Sequence, residues 1–188
     1  MLIFGITGTL GAGKGTVVDY LVKTKGFTHF SVRNFLLEEI NKQGLTENRD
    51  SMVIVANKLR EKYGSSYIVD ELFKQAKAQN KNAIIESIRN VGEVESLRQS
   101  KQFYLIAVDA IQKLRYERIL IRNSETDRIS FEEFISNENR EMKSDNPSAQ
   151  NIQACIDMSD AIFFNNGTIE DLHVQVENYL SQIEKQND

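Results

Sequence analysis

The stretch GITGTLGAGKGT, residues 5–16, follows a short hydrophobic start and places five glycines and one lysine in twelve positions. Glycines weaken any helix or strand that they interrupt, so this cluster predicts a tight turn or a contact with a ligand. It follows a predicted strand and precedes an amphipathic helical pattern, the context in which glycines form a phosphate-binding loop. Backbone N–H groups and the start of the helix then face the phosphates, and Lys14 reaches the β- and γ-phosphates. The predicted loop residues are Gly8, Gly11, Ala12, Gly13, Lys14, Gly15 and Thr16.

The loop departs from the usual phosphate-loop pattern at one position. Gly15 follows the lysine, and the hydroxyl residue Thr16 comes only after it. The form GxxGxGKGT resembles the loop of adenylate kinase and its relatives. That resemblance implies that Thr16 approaches both the phosphates and a bound Mg²⁺.

The composition is that of a globular domain. The chain has 188 residues, 40% of them hydrophobic and 27% charged, and its net charge is -4. This charge gives no basic field for nucleic acid, so an anion site must be built locally. No apolar run reaches the roughly 18 residues of a membrane span, and the N-terminus lacks the positive start of a signal peptide. The single cysteine, Cys155, suits a reducing compartment and is expected to be an inert core thiol. We expect a cytoplasmic protein of one domain, residues 1–188, that binds neither nucleic acid nor a membrane.

Short apolar runs alternate along the chain with longer helical patterns. Continuous apolar runs are typical of strands covered on both faces, as in a parallel sheet. Strands alternating with helices indicate right-handed crossovers. The pattern predicts a three-layer α/β fold, a five-stranded parallel sheet with helices on both faces. The predicted strands are residues 2–7, 27–31, 82–87, 103–110 and 160–165.

Residues 123–147 break this rhythm, because they are highly charged and contain few aliphatic residues. Within them Ser130 and Glu133 have the spacing of a capping box, as Thr168 and Asp171 do further along the chain, which predicts a helix start at Ser130 and at Thr168. We expect a small, exposed, helical lid-type insert here.

The third predicted strand ends in IIESIR, which places Glu86 and Arg89 three residues apart. A GTPase is expected to carry an Asn-Lys-x-Asp motif, and the string NKLR at 57–60 lacks the aspartate. A motor ATPase usually has Asp-Glu after its third strand. The pairing found here suits transfer between two bound phosphates, with Glu86 holding the water shell of a metal. Arg89 then clamps the acceptor phosphate through its bidentate fork.

The whole chain resembles the nucleoside-monophosphate kinase group, and within it the adenylate-kinase-related and dephospho-coenzyme-A-kinase-like P-loop proteins. In that group an acid and then Gly-x-Arg end the third strand, matched here by ESIR with Ser87 in place of glycine. An Asn-x-Gly-[Ser/Thr] turn follows the closing strand, matched by Asn165–Thr168. The resemblance implies that adenine lies against Asn165, Gly167 and Thr168. It also implies that arginines leading into the lid close over the phosphates. The candidates are Arg122, then Arg118, and further Arg115 and Arg128.

The acceptor side departs from that group. Its members carry a Gly-Asp turn after the second strand and, three residues after the aspartate, an arginine that grips the acceptor monophosphate. Asn34 and Leu37 occupy these positions, and a leucine cannot bind phosphate. The candidate acceptor-binding residues are therefore Arg33, Asn34, Arg49, Arg60 and Arg89. The two histidines, His29 and His173, are isolated in the sequence and are expected to be structural.

The sequence predicts an ATP- and Mg²⁺-dependent phosphotransferase that acts on a nucleotide-type small molecule, a nucleoside or deoxynucleoside monophosphate. Lys14, Arg89, Arg118 and Arg122 are its predicted catalytic residues, and Thr16 and Glu86 its metal residues. A dephospho-coenzyme-A-type hydroxyl acceptor stays open, although it needs a carboxylate base where Asn34 stands. A nucleotide-binding regulatory module without turnover and an ATPase switch that needs no acceptor also stay open.

Overall fold

The computed structural model of the protein describes residues 1–122, 129–144, 146 and 149–187, with only the backbone described for Arg49 and Asn187. The strands are β1 (Ile3–Gly8), β2 (Thr28–Ser31), β3 (Ala83–Glu86), β4 (Phe103–Asp109) and β5 (Ala161–Phe164). The first helices are α1 (Lys14–Lys25), α2 (Val32–Lys42), α3 (Arg49–Tyr63), α4 (Tyr67–Gln79) and α5 (Val91–Leu97). They are followed by α6 (Gln112–Arg122), α7 (Phe131–Met142), α8 (Ile152–Asp157) and α9 (Ile169–Asn187).

The strands form one parallel sheet in the order β2-β3-β1-β4-β5. The predicted fold class is confirmed, and each predicted strand lies within two residues of an observed one. β1 lies at the centre, where Ile6 pairs in register with Glu86 of β3 and Ile106 of β4. The loops that follow β1, β3 and β4 therefore meet at one edge of the sheet, where ligands bind in open α/β folds.

The core consists of two layers, one on each face of the sheet. Ile3 of β1 packs with the layer beneath α2 to α5, whereas Phe4 and Ile6 pack with the layer beneath α1 and α9. Because both faces are covered, the residues of β1 are all buried, which explains the continuous apolar run in the sequence.

Two predicted helix starts are confirmed. Ser130 and Glu133 form a reciprocal capping box at the start of α7. Thr168 and Asp171 exchange hydrogen bonds at the start of α9, with Asp171 N donating to Thr168 Oγ1 over 3.1 Å. α1 differs from both, because its N-cap is Gly13 and no side chain caps its first N–H groups. No described helix combines the length and the apolar composition that a membrane crossing needs.

Candidate active site

The loop between β1 and α1 depends on glycines for its backbone path. Gly8, Gly11 and Gly13 have φ values of 131°, 77° and 98°, which L side chains rarely adopt. A Cβ atom at Gly8 would clash with the backbone of Val108, and one at Gly13 would clash with the side chain of Asn165. The loop is therefore held closely between the ends of β4 and β5.

Lys14, the first residue of α1, folds back over this loop. Its Nζ donates hydrogen bonds to the carbonyl oxygens of Gly8 (2.8 Å) and Thr9 (2.7 Å). Burial first and the positive charge of Arg89 second lower the pKa of Lys14 to about 8. An anion bound here would relieve this repulsion, so the loop and its lysine fit a phosphate group.

Glu86 lies at the end of β3 and shares a hydrogen bond with His29, a residue that sequence reasoning assigned only a structural part. The distance from His29 Nε2 to Glu86 Oε2 is 2.8 Å. This hydrogen bond is the main reason that the pKa of Glu86 lies below its usual value, with Lys14 and Arg89 acting in the same direction. No local sequence pattern indicated this contact, because it depends on β2 lying next to β3 in the sheet.

Arg89 connects the end of β3 with the segment around α7. Its guanidinium donates to Gln150 Oε1 over 3.1 Å and lies 3.5 Å from Glu141 Oε2. Its backbone N–H donates to Glu93 Oε2 over 2.8 Å. The positive charge of this side chain is close enough to Lys14 to lower the pKa of the lysine. Glu93 of α5 holds the backbone of Arg89, and Glu141 of α7 pairs with its guanidinium.

Arg60, a candidate for acceptor binding, lies inside the protein instead of on an open surface. Its side chain is 8% exposed and its NH2 group lies 3.1 Å from Oε1 of the buried Glu93. Its Nε has no hydrogen-bond partner among the described residues. Arg60 therefore supports, through Glu93, the turn that carries Arg89.

Two of the remaining acceptor candidates, Arg33 and Asn34, lie in the first turn of α2. Arg33 is exposed, and its NH1 lies 3.9 Å from the sulfur of Met52. Asn34 is also exposed, and its backbone N–H donates to Ser31 Oγ at the cap of α2. The side chain of Arg49 lies outside the described residues.

Asn165 joins the closing turn of β5 to the phosphate loop. Its Nδ2 donates to the Ala12 carbonyl over 2.9 Å, and its own carbonyl accepts from Arg118 NH2 over 2.9 Å. NH1 of Arg118 is buried and has no hydrogen-bond partner among the described residues. Two residues of the same turn, Gly167 and Thr168, are exposed at the start of α9. The turn and α6 are thus fixed against the loop.

The lid arginines differ in their surroundings. Arg122 is exposed at the end of α6, and Arg128 lies outside the described residues. The resemblance implied a lid role for Arg115. The structure corrects this, because the residue lies on the inner face of α6 and is 5% exposed. It donates to Ala110 O and Leu10 O and forms a buried ion pair with Glu138 of α7. Its charge is used to join α6, α7 and the phosphate loop.

A cavity of about 410 Å³ opens between the phosphate loop and α7. Thr9 of the loop and Asp109 at the end of β4 line one wall, where Thr9 Oγ1 donates to Asp109 Oδ1 over 2.6 Å. Arg115, Glu138, Asn139, Met142 and Lys143 line the remaining walls. Sequence reasoning missed Asp109 as a site residue, although its place at the carboxyl end of a predicted strand was a usable signal.

The described residues contain no group of three or more His, Cys, Asp and Glu side chains that could hold a metal ion. Mg²⁺ in nucleotide sites is usually bound by one or two protein groups together with substrate phosphates and water. Thr16, half-buried in the first turn of α1, and Glu86, half-buried at the end of β3, are compatible with that mode.

Comparison with known proteins gives matches in sequence and in fold. The family model AAA_18, an AAA domain, matches residues 5–144. A UPF0200 protein of Methanocaldococcus jannaschii is 30% identical over 186 residues, covering 97% of this chain and 91% of that protein. The crystal structure of TT1252 from Thermus thermophilus has a TM-score of 0.64 at 18% identity, covering 96% of this chain and 97% of that one. Shikimate kinase from Bacteroides thetaiotaomicron has a TM-score of 0.62 at 12% identity, covering 96% and 98%.

Proposed function

The chain belongs to the AAA domain family of P-loop proteins and is a relative of the UPF0200 proteins, and from that premise we propose that it is a P-loop kinase that transfers the terminal phosphoryl group of ATP to a nucleotide-type acceptor. One observation carries the proposal. The phosphate loop after β1 and the turn holding Glu86 and Arg89 after β3 lie side by side, since Ile6 pairs in register with Glu86. The proposal gives Lys14 to the donor and Arg89 to the acceptor, two cations close enough to interact electrostatically.

On the donor side, the proposal assigns the phosphates to the loop over residues 8–16. Lys14 exchanges its two carbonyl partners for phosphate oxygens, which removes its repulsion from Arg89. The adenine lies near Asn165, Gly167 and Thr168. Mg²⁺, held by Thr16 and through water by Glu86, supplies charge neutralisation between the phosphates when bound.

On the acceptor side, Arg89 leaves Gln150 and Glu141 and binds the incoming phosphate through its planar fork. Lys14 and Arg89, with Arg118 and Arg122 from α6, stabilise the negative charge that spreads over the transferring group. No covalent intermediate with the protein is needed. The residues act by position and charge.

The proposal keeps one catalytic domain over residues 1–188, with residues 123–147 as its lid. α7, the described part of that insert, already contacts both halves of the site, through Glu138 to Arg115 and through Glu141 to Arg89. Movement of α7 would change both contacts together. A flap of this kind excludes water from the transferring phosphoryl group.

The preferred acceptor is a nucleoside or deoxynucleoside monophosphate. Asn34, where a hydroxyl-phosphorylating relative would be expected to carry a carboxylate base, is an exposed amide. Leu37, half-buried on α2, stands where the adenylate kinase pattern has an arginine that binds the acceptor phosphate. That second acceptor cation is therefore missing. This absence favours an acceptor held differently from AMP in adenylate kinase.

An acceptor panel tests the proposal. The purified protein is mixed with Mg²⁺-ATP and, separately, each nucleoside monophosphate, each deoxynucleoside monophosphate and dephospho-coenzyme A, and products are separated by chromatography. A phosphorylated monophosphate supports the proposal, whereas phosphorylated dephospho-coenzyme A supports the hydroxyl acceptor. ATP hydrolysis that no acceptor changes indicates a switch. ATP binding without any turnover indicates a regulatory module.

A further inference from the structure

Ser87 has an unusual backbone conformation, with φ at 71°. L side chains rarely adopt this left-handed region, because Cβ approaches the backbone too closely. The other described non-glycine residue with positive φ is Asn80. Asn80 ends α4, and asparagine is a residue type that commonly occupies such a helix end. Ser87 ends no helix, and the resemblance places glycine at its position.

The fold holds the turn around Ser87 without using its side chain. Ile88 N donates to Ile6 O over 3.1 Å, and Thr7 Oγ1 donates to Ile88 O over 2.8 Å. Arg89 N is held by Glu93 on the other side. Ser87 is half-buried as a residue, and its hydroxyl makes no hydrogen bond to the described residues. A glycine would satisfy the same backbone with less strain, so the fold gives no reason for a serine here.

The place of Ser87 supplies a reason. It lies between Glu86 and Arg89, the residues that the proposed function assigns to the metal and to the acceptor. We propose that Ser87 is a specificity-determining residue of the acceptor site, and that its hydroxyl donates a hydrogen bond to the acceptor's phosphate. This inference rests on the proposed function and adds a second phosphate-binding group to its acceptor site.

The missing cation on α2 agrees with this assignment. Leu37 offers no donor to a phosphate, and Arg33 is directed to Met52. Arg89 then supplies a guanidinium, and Ser87 supplies a second, uncharged donor two residues away. A hydroxyl beside a guanidinium forms a charge-assisted hydrogen bond with a phosphate oxygen.

Two substitutions separate the hydroxyl from the strain. Ser87→Ala removes the hydroxyl and keeps Cβ, whereas Ser87→Gly removes the hydroxyl and relieves the backbone. Both are expected to raise KM for the monophosphate acceptor about tenfold and to leave KM for ATP unchanged. The Tm of Ser87→Gly is expected to exceed that of Ser87→Ala by about 2–4 °C, which checks that both variants fold.

Asn80→Gly is the matched control, because it relieves a positive φ at the end of α4, away from the cleft. It is expected to change neither KM. If both Ser87 variants keep the acceptor KM within about twofold of the wild-type value, or change the ATP KM instead, the assignment is overturned. If the wild-type chain transfers to no acceptor at all, the proposed function itself fails, a result that this series distinguishes from failure at Ser87 alone.

Discussion

Lys14 is the residue on which the proposed chemistry depends most directly. Its ammonium group is buried against two loop carbonyls, and burial lowers its pKa to about 8. The glycines set the path of the loop, so we expect a small side chain at position 14 to leave that path unchanged. Its position therefore indicates a binding task.

Lys14→Ala is expected to lower phosphoryl transfer by about 10²–10³-fold or more, because it removes the loop's side-chain cation from the transferring group. The fold is expected to survive, with an unchanged circular dichroism spectrum. Lys23→Ala is the control on the same helix, since Lys23 is an exposed partner of Asp19. Near-normal transfer by the Lys14 variant would show that the site is misplaced.

Cys155 matches its predicted role as a core thiol. It is fully buried, and burial raises its pKa to about 12. We expect almost no reaction with a thiol reagent at pH 8 in the native protein, because thiolate and access are both lacking. One equivalent is expected to react after unfolding in urea. Rapid labelling of the native protein would contradict this burial.

Single residues also show where sequence reasoning ends. Arginine is usually an exposed residue, yet Arg60 and Arg115 are both buried beside a glutamate. Their partners are Glu93 and Glu138, 33 and 23 residues further along the chain. No local pattern predicts such pairs, because they depend on how α3, α5, α6 and α7 pack together.

At the scale of elements, the phosphate loop offers a direct comparison between two of its glycines. Gly13 has a positive φ and faces Asn165, whereas a Cβ at Gly15 would meet no atom within 4 Å. Gly13→Ala is expected to lower Tm by about 4 °C or more, through strain and the clash with Asn165. Gly15→Ala is expected to keep or raise Tm, since alanine favours the helix. Thermal melts of both variants check this, and equal Tm values would mean that the loop path differs.

The ion pair between Arg60 of α3 and Glu93 of α5 supports the turn that carries Arg89. Arg60→Met leaves the Glu93 carboxylate buried without its cation, and we expect a loss of about 3 kcal/mol in the free energy of unfolding. Adding Glu93→Gln is expected to recover part of that loss, because no charge then stays buried. Arg33→Met, at an exposed position, is expected to cost less than about 0.5 kcal/mol. Urea titrations measure all three, and a negligible effect of Arg60→Met would show that the pair is not buried in solution.

The elements themselves were largely predictable from the sequence. The central strands β1, β3 and β4 stand out because both faces of the sheet are covered there, which makes each a continuous apolar run. The starts of α7 and α9 were predictable because a capping pair lies within four consecutive residues. The hydrogen bond between His29 and Glu86 was not predictable from spacing alone, because it requires knowing that β2 lies next to β3.

At the scale of the whole molecule, the site is assembled from parts distant in the sequence. The loop after β1, the turn after β3 and the turn after β5 meet at one edge of the sheet, joined by Asn165 and by the register of the strands. α7 reaches this edge through Arg115 and Arg89. Under the proposed function, this arrangement brings the donor and acceptor phosphates into one cleft, the geometry that in-line transfer requires.

The most direct test is a crystal structure of the protein with a non-hydrolysable ATP analogue and Mg²⁺. The account predicts the β- and γ-phosphates within hydrogen-bond distance of the backbone N–H groups of residues 11–16, with Lys14 Nζ moved from its two carbonyls onto phosphate oxygens. Arg89 is then expected across the cleft from the γ-phosphate. An analogue bound elsewhere, or loop N–H groups turned away from its phosphates, would contradict the account.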